Sequence, residues 1–215
     1  MLITISNYDL QTASLDLEIA AEAIMHGGTV IVGTETFYAI AANPFMDEAV
    51  EKIFSIKKRT FQNPLALIAS DQKIVNSRTS GFSKNAETLM KDFWPGSLTI
   101  LFAGQVDFSK YVRNASGNIG VRVPPMCPAR LLAKMVGGWI TATSANLSGE
   151  PTPKSVTDIP PEIIHSVDVV VDSGPCPGGL PSTVVDATHP GWKVLRIGRV
   201  SKESILEALG ESEIN

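Results

Sequence analysis

The sequence predicts an α/β or α+β fold, a sheet covered by helices with some antiparallel pairing late in the chain. Segments with helical spacing of apolar residues alternate with short β-branched runs along most of the 215 residues. Several of these runs are apolar at consecutive positions, which is typical of strands buried between two layers. With 44% hydrophobic and 19% charged residues, the composition suits one compact domain, which we assign to residues 1–215.

The first helix is predicted from Leu15 to Met25, where apolar residues recur at helical intervals. Acidic residues near its start suit the positive end of the helix dipole. Gly27 and Gly28 then end the helix. The strand Thr29–Val32 follows directly, because its residues are β-branched and apolar on both faces.

The same alternation continues along the rest of the chain. Further helices are predicted at Asp47–Ile56, Ser83–Phe93 and Pro128–Val136. Further strands are predicted at Leu65–Ile68, Leu98–Phe102, Ile119–Val123, Trp139–Thr143, Val167–Val171, Thr183–Val185 and Val194–Ile197. The segment Glu150–Pro161 is rich in proline and threonine and is predicted to be a surface loop. We therefore expect a single sheet flanked by helices.

Charge and cysteine content exclude several classes of protein. The formal net charge is −4, so no overall basic field attracts nucleic acid, and contact with RNA would need a local patch. Cys127 and Cys176 lie outside any CxxC pattern, which argues against a zinc ribbon and against a disulfide scaffold. These cysteines, the lack of an export signal and the lack of an apolar run of ~20 residues predict a cytoplasmic protein with no membrane segment.

The usual catalytic motifs are absent from the sequence. It contains no GxxxxGKS/T, GxGxxG, HExxH or GxSxG, which argues against P-loop, dinucleotide-binding, zincin and esterase sites. Its histidines, His26, His165 and His189, are too widely separated to predict a metal cluster or a histidine-based triad.

Two neutral polar segments are candidate binding sites. The segment Thr143–Gly149 crowds hydroxyls, an amide and a glycine after a predicted strand, which suits an amino acid, a ribose or a phosphate edge. A Ser/Asn-rich turn explains it less well, because the polar groups continue beyond what one turn needs. The segment Gly33–Tyr38 sets hydroxyls, a carboxylate and a phenol at another strand end, where open α/β sheets bind ligands. A turn with a helix cap explains that segment equally well.

Two further segments carry cations. The triplet KKR closes the second predicted helix, where cations commonly complement the helix dipole. Lys57 and Arg59 of this triplet could also grip a polyphosphate, the arginine as a fork and the lysine as a point charge. The segment Gly178–Asp186 leads toward Arg196 on the next strand, an arrangement that can seat an anion or a nucleotide. A hairpin with a solvated arginine explains this last segment nearly as well.

Seven short motifs follow one another in a fixed order. They read GTETFYAI, KKRTFQNPL, WPGSLT, IGVRVP, TSANLSG, STVVD and LRIG. In sequence and spacing this series resembles the YrdC-type family of threonylcarbamoyl-AMP synthases, from about Ile31 to Gly198. Each motif alone is unspecific, whereas their combination is specific.

The resemblance implies a YrdC-like twisted mixed sheet around a deep, positively lined cleft. It implies a nucleotidyltransferase that converts ATP, L-threonine and bicarbonate to threonylcarbamoyl-AMP and pyrophosphate, toward N6-threonylcarbamoyladenosine 37 in tRNA. Threonine carbamate would attack the α-phosphorus without a side-chain nucleophile, so catalysis would rest on positioning and charge neutralisation. Mg²⁺ would arrive bound to ATP, and a downstream tRNA threonylcarbamoyl-transferase complex would use the product.

The resemblance also assigns roles to residues, by motif position. The catalytic, phosphate-gripping pair would be Lys57 and Arg59. The other nucleotide-binding residues would be Asn63, Asn118, Asn146 and Arg196. The threonine-binding residues would be Thr36, Arg122, Ser144 and Ser182, and no residue is assigned to a metal.

Five positions depart from the family pattern. Gly33, Thr60 and Ser97 stand where the family commonly has proline, and Ala39 stands where it usually has glycine. These changes concern loop rigidity more than chemistry. Ile68 stands where some members carry a histidine near threonine, which concerns amino-acid affinity.

Two alternatives to the synthase follow from the same resemblance. One is a double-stranded-RNA-binding module of the same fold, or weak RNA binding beside catalysis, against which the acidic net charge weighs. The other is a paralogue with different carbamoyl or nucleotide chemistry. In extent, the chain resembles the short form of the family, limited to the catalytic core.

Overall fold

A mixed β-sheet forms the centre of the molecule. The computed structural model describes residues 1–4, 17–61, 63–80, 82–105, 107–189 and 191–210. Its strands are β1 (Leu2–Thr4), β2 (Val30–Gly33), β3 (Tyr38–Ala41), β4 (Ala66–Ala69), β5 (Thr79–Ser80), β6 (Leu98–Gly104), β7 (Asn118–Arg122), β8 (Trp139–Ser144), β9 (Val169–Asp172), β10 (Thr183–Asp186) and β11 (Lys193–Arg196). Its α-helices are α1 (Glu18–Met25), α2 (Asp47–Ile56), α3 (Gln72–Arg78), α4 (Lys84–Phe93), α5 (Pro128–Met135), α6 (Pro161–Ser166) and α7 (Lys202–Leu209).

The strands of the described residues lie side by side in the order β1, β9, β2, β3, β8, β4, β7, β6, β10, β11, and β5 also pairs with β6. The pairs β1/β9, β9/β2, β4/β7 and β6/β10 are parallel. The other neighbouring pairs are antiparallel. The sheet is therefore mixed, as predicted, but its antiparallel pairing begins early, with the β2/β3 hairpin.

Alternating side chains of the central strands enter two apolar cores. Val30 and Val32 of β2 pack with α1 and α5 on one face of the sheet. Ile31, between them, packs on the opposite face in the core that contains α2 and α4. All three side chains are fully buried. Because burying one such side chain stabilises a fold by about 1.5–3 kcal/mol, both faces of these strands must be covered.

Short polar side chains begin several of the helices. Ser83 caps α4 by accepting a hydrogen bond from Ala86 N at 3.0 Å, and its hydroxyl donates to Ala187 O at 2.6 Å. Asp71 caps α3 by accepting from Ile74 N at 2.9 Å. Each cap satisfies a backbone N–H that the helix itself leaves without a partner.

The fold class predicted from the sequence is confirmed, and predicted elements within the described residues agree closely with the observed ones. Helix α1 begins at Glu18, and Leu15 and Asp16 of the predicted helix lie outside the described residues. The sequence analysis missed β1, β3, β5, α3, α6 and α7. Of these, β3 matters most for function, because it turns the segment Gly33–Tyr38 into the connection of a hairpin.

Within the described part of the chain, every helix is too short or too polar to cross a bilayer.

Candidate functional site

Two adjoining clefts open beside the central strands. The first has a volume of about 490 Å³ and the second about 470 Å³. Both are lined by Arg59, Thr143 and Ser144, so they form one continuous groove. Polar residues of the first cleft include Thr34, Thr36, Thr99, Asn114, Asn118, Arg122, Thr152, Ser182 and Arg196. The second cleft adds Lys57, Lys58, Thr60, Asn63, Asn146 and Ser148.

Every residue that the sequence assigned to a site lines this groove. Thr36, Asn118, Arg122, Ser182 and Arg196 line the first cleft. Lys57, Asn63 and Asn146 line the second, and Arg59 and Ser144 line both. Motifs separated by more than a hundred residues in the chain therefore meet at one place. Their individual roles stay predictions.

The hairpin connection between β2 and β3 is held by the hydroxyl of Thr34. This oxygen accepts from the backbone N–H groups of Thr36 and Phe37, both at 3.1 Å, and donates to Phe37 O at 2.7 Å. The Thr36 hydroxyl lies 3.1 Å from that of Thr34, and both residues are buried. Gly178 N donates to Thr36 O at 2.8 Å and ties the glycine-rich segment to this connection. The hydroxyl of Thr36 is thus presented to the first cleft by a firmly bonded loop.

The cationic triplet Lys57–Arg59 follows helix α2, and its middle residue has a left-handed backbone conformation. Lys58 has a φ of 49°, which turns the chain after the helix. Arg59 N then donates to Phe54 O at 3.0 Å, so the turn is closed by a backbone hydrogen bond. The reversal directs Lys57 and Arg59 toward the groove while Lys58 forms an exposed ion pair with Glu162 at 2.6 Å.

Lys57 is buried against the segment Thr143–Gly149, with only 3% of the residue exposed. Its ammonium donates to Ser144 O, to Asn146 O at 2.5 Å and to Asn146 Oδ1 at 3.3 Å. Burial, with a smaller contribution from the positive charge of Arg59, lowers the pKa of Lys57 to about 8. Three oxygen acceptors thus match the three N–H bonds of the ammonium, and Lys57 fixes the shape of the segment that lines the cleft.

The segment Thr143–Gly149 is also bonded internally. The Ser144 hydroxyl donates to Asn146 Oδ1, and Asn146 Nδ2 donates to Glu150 O at 2.6 Å. Ala145 N donates to Tyr38 O at 2.9 Å, which attaches the segment to β3. Its polar atoms are therefore preorganised around the ammonium of Lys57.

Three arginines from three motifs converge on the groove. Burial lowers the pKa of Arg59. Burial also lowers the pKa of Arg196, and the nearby charges of Arg122 and Arg59 lower it further. Mutual repulsion among guanidinium groups is unfavourable unless an anion lies between them. The groove is therefore suited to an anion that carries several charges.

Arg196 is held at the opposite wall by the β10 strand end. Its Nη2 donates to Ser182 O at 2.8 Å and to Ser182 Oγ at 3.1 Å. Ser182 Oγ lies 2.9 Å from Thr99 Oγ1 of β6. Gly198 N donates to Thr183 Oγ1 at 2.9 Å just beyond. The structure thus has the predicted hairpin of β10 and β11 with an exposed Arg196, and it adds hydrogen bonds that fix the guanidinium to Ser182.

Asn118 opens β7 from a turn that Asn114 organises. Asn114 Oδ1 accepts from Ser116 N and from Asn118 N, both at 2.9 Å. Asn114 lines the first cleft beside Asn118. The sequence analysis did not single out Asn114, although an asparagine four residues before a strand is a typical turn signal.

Glu35, which contacts Arg122 beside the first cleft, is the main residue that the sequence analysis left out of its assignments. Its carboxylate forms an ion pair with Nη1 of Arg122, and the two side chains are 9% and 10% exposed. Ser97 Oγ donates to the same Oε1 atom at 3.1 Å. The carboxylate within GTETFYAI was visible in the sequence, but its partner lies 87 residues away.

Two of the departures from the family pattern acquire a structural account. Ile68 is fully buried in the core with α1 and α5 and is absent from the cleft lining. A Cβ atom at Gly33 would lie 2.6 Å from Ser173 Oγ, so a larger residue there requires Ser173 to move.

The cysteines near the hairpin connection are not nucleophiles at neutral pH. Burial, with a smaller contribution from the negative charge of Glu35, raises the pKa of Cys127 and of Cys176 to about 11. Since the thiolate is the reactive form, both side chains remain inert thiols. Among the described residues, no group of three or more His, Cys, Asp or Glu is arranged to hold a metal ion.

The chain resembles known proteins in sequence over most of its length. Residues 22–198 match the sequence model of the family Sua5_yciO_yrdC, described as "Telomere recombination". The threonylcarbamoyl-AMP synthase of Bacillus subtilis is 32% identical over 208 residues, which cover 96% of this chain and 60% of the relative. The synthase of Pyrococcus abyssi is 31% identical over 199 residues, 93% of this chain and 58% of the relative. The chain thus spans about three fifths of the length of these two curated relatives.

The fold also resembles solved structures of two proteins, Sua5 and YciO. Pyrococcus abyssi Sua5 in complex with L-threonine matches with a TM-score of 0.87 at 29% identity, over all of this chain and 62% of that one. Escherichia coli YciO matches with a TM-score of 0.78 at 24% identity, over 96% of this chain and 98% of that one. The second likeness concerns the fold alone.

Proposed function

This chain belongs to the Sua5/YciO/YrdC family, and from that premise we propose that it is a threonylcarbamoyl-AMP synthase. The reaction would join L-threonine, bicarbonate and ATP and release pyrophosphate, which makes the protein a nucleotidyltransferase. The relatives from Bacillus subtilis and Pyrococcus abyssi carry the name of this activity, and a Pyrococcus abyssi structure of the family holds L-threonine.

The observation that carries the proposal is the groove with its cations. Arg59, Arg122 and Arg196 line one cleft of about 490 Å³, and Lys57 lies in the adjoining cleft. Only Glu35 forms an ion pair with any of these four cations among the described residues. The remaining positive charge suits a nucleoside triphosphate and an amino-acid carboxylate together.

The neutral lining supports the same pair of ligands. Hydroxyls of Thr36, Ser144 and Ser182 surround the first cleft and can hydrogen-bond the amine, carboxylate and hydroxyl of threonine. Asn63 and Asn146 in the second cleft, with Asn118 in the first, offer amides to a ribose or to phosphate oxygens. Mg²⁺ would enter with ATP as part of the substrate.

The reaction proceeds in two bond-forming steps under this proposal. The neutral amine of threonine adds to bicarbonate and gives the N-carboxylate and water. One oxygen of that carbamate then attacks the α-phosphorus of ATP, the bond from this phosphorus to the bridging oxygen breaks, and pyrophosphate leaves. No covalent bond to the protein forms, so the residues act by holding both substrates and stabilising the charge that moves onto pyrophosphate.

Within these steps the cations have separate tasks. Arg122 binds the threonine carboxylate, and Arg59 stabilises the transferred phosphate charge at the junction of the clefts. Lys57 holds the segment of Ser144 and Asn146 in shape and adds a positive charge beneath it. A tRNA threonylcarbamoyl-transferase system would consume the product.

Direct detection of the product tests the proposal. The protein is incubated with Mg-ATP, L-threonine, isotopically labelled bicarbonate and pyrophosphatase, and the mixture is analysed by mass spectrometry. Threonylcarbamoyl-AMP that carries the bicarbonate label is expected. Folded protein that binds ATP and yields no such product would refute the assignment. Salt-dependent binding of double-stranded RNA without binding of ATP would instead favour the RNA-binding alternative.

A further inference from the structure

The ion pair between Glu35 and Arg122 lies beside the first cleft, and we propose that Glu35 positions Arg122 to receive the amino-acid carboxylate. This inference rests on the proposed function. Glu35 would touch neither substrate, and it would act only through the orientation of the arginine.

The pair is buried rather than superficial. The two side chains are 10% and 9% exposed, and Nη1 of Arg122 is the atom that donates to Glu35. Burying an arginine and a carboxylate costs desolvation, which only a close, well-directed hydrogen bond offsets. A buried ion pair is weak evidence for stability, and the position of this one beside a cleft points to a functional role.

The hydrogen bonds of the Glu35 carboxylate hold this ion pair in place. Its Oε1 accepts from Arg122 and from Ser97 Oγ, the latter at 3.1 Å. Its Oε2 is buried and has no hydrogen-bond partner in the described part of the chain. Ser97 is one of the positions at which this sequence departs from the family pattern, and a proline there could not make this bond.

The support beneath Glu35 is rigid. Thr34 Oγ1 accepts from Thr36 N and Phe37 N, which brackets Glu35 within a closed turn. Arg199 Nη1 also reaches the carbonyl oxygen of Glu35 at 3.4 Å. A carboxylate on such a turn can define the direction of a long side chain from another strand.

The ion pair uses one side of the Arg122 guanidinium and leaves the other side available to a ligand. One nitrogen is taken by Glu35, whereas Nε and Nη2 have no acceptor among the described residues, and the residue lines the first cleft. The N–H groups of Nε and Nη2 can donate two parallel hydrogen bonds to a carboxylate. Without Glu35, Arg122 would lose its anchor and would face the positive charge of Arg196 nearby.

Threonine binding in a set of variants tests the inference. Calorimetric titration with L-threonine, and separately with ATP, is carried out on the wild type, Glu35→Ala, Glu35→Gln, Arg122→Ala and the double variant Glu35→Ala/Arg122→Ala. We expect Glu35→Ala to weaken threonine binding at least tenfold and to change ATP binding less than twofold. Glu35→Gln should stay within threefold of the wild type, because its amide oxygen still accepts from Arg122.

The double variant supplies the decisive comparison. If Glu35 acts through Arg122, its removal weakens threonine binding no further once Arg122 is alanine. Glu35→Ala leaves the buried guanidinium of Arg122 unpaired and could fail to fold for that reason. The double variant removes both charges, so its comparison with Arg122→Ala still tests the inference in that case. Asp107→Asn, which breaks the exposed ion pair between Asp107 and Arg78, is the matched control and should leave both ligands unaffected.

Different results would overturn different claims. Normal threonine binding by Glu35→Ala, an equal loss in Glu35→Gln, or a further loss in the double variant would each refute the positioning role. A wild-type protein that binds no L-threonine would refute the proposed function itself, and the inference with it.

Discussion

Replacing Lys57 with methionine should lower turnover by at least about 100-fold while leaving the protein folded. Lys57 Nζ is hydrogen-bonded to Ser144 O, Asn146 O and Asn146 Oδ1. Methionine retains much of the apolar stem and removes the ammonium. The two backbone oxygens then lose a donor, while Asn146 Oδ1 still accepts from the Ser144 hydroxyl.

The change in the free energy of unfolding follows from two opposing terms. A buried acceptor without its donor costs about 1–3 kcal/mol, so two oxygens cost about 2–6 kcal/mol. Against this, burial and Arg59 lower the pKa of Lys57 from 10.5 to about 8, which corresponds to about 3 kcal/mol spent on keeping it charged at neutral pH. The net loss is therefore at most about 3 kcal/mol, and for a chain of this size Tm should fall by no more than about 12 °C.

Activity should fall much more than stability. Loss of the cation that shapes the segment of Ser144 and Asn146 removes preorganised charge stabilisation, for which a loss of at least about 100-fold in kcat is expected. Scanning calorimetry and the product assay are carried out on Lys57→Met and on Lys52→Met. Lys52 also donates to a backbone carbonyl, Gly27 O at 3.0 Å, but is absent from the lining of both clefts. Near-normal turnover of folded Lys57→Met would show that Lys57 serves only as the end of helix α2.

Three further predictions concern pH, a glycine and a helix cap. The rate should fall as pH rises through about 8, because Lys57 then loses its proton. The contribution of Lys57 to stability should instead rise between about pH 8 and 10.5, because the unfolded chain still holds the proton that the folded chain has released. A Lys57→Arg variant whose rate profile lacks this inflection would support the assignment to Lys57. Gly198→Ala should destabilise the protein by about 3 kcal/mol and weaken ATP binding, because the added Cβ would lie 2.1 Å from Pro181 O and would displace the strand that carries Arg196. A denaturant midpoint equal to that of the wild type would contradict the reasoning. Ser83→Ala should lower the free energy of unfolding by about 1–2 kcal/mol through loss of the α4 cap while KM for threonine and for ATP stay unchanged, which urea titration and steady-state kinetics would check.

Local patterns predicted most of the elements because their causes are local. The strand Val30–Gly33 is visible as an apolar run, and helix Asp47–Ile56 is visible as an amphipathic repeat. Strand Tyr38–Ala41 was missed because it directly follows the polar connection after β2, and the sequence analysis did not separate the strand from that connection. Its apolar run of four residues, fully buried in the structure, was the available signal.

The site could be predicted from the sequence only as a set of motifs. Seven motifs in order indicated which residues to consider, but not that Lys57 would lie against the carbonyls of Ser144 and Asn146. The pair of Glu35 and Arg122 is a contact across the sheet, which periodicity does not report. Ser97 had been noted only as a departure, and its hydrogen bond to Glu35 depends on tertiary structure.

The central claim is that one groove holds both substrates, with Arg122 at the amino acid and Arg59 at the phosphates. A crystal structure with Mg²⁺, a non-hydrolysable ATP analogue and L-threonine tests it most directly. The account predicts the threonine carboxylate on the free edge of Arg122 and the phosphates between Arg59 and the segment Thr143–Gly149. Threonine bound away from Arg122, or a nucleotide outside the groove, would contradict it.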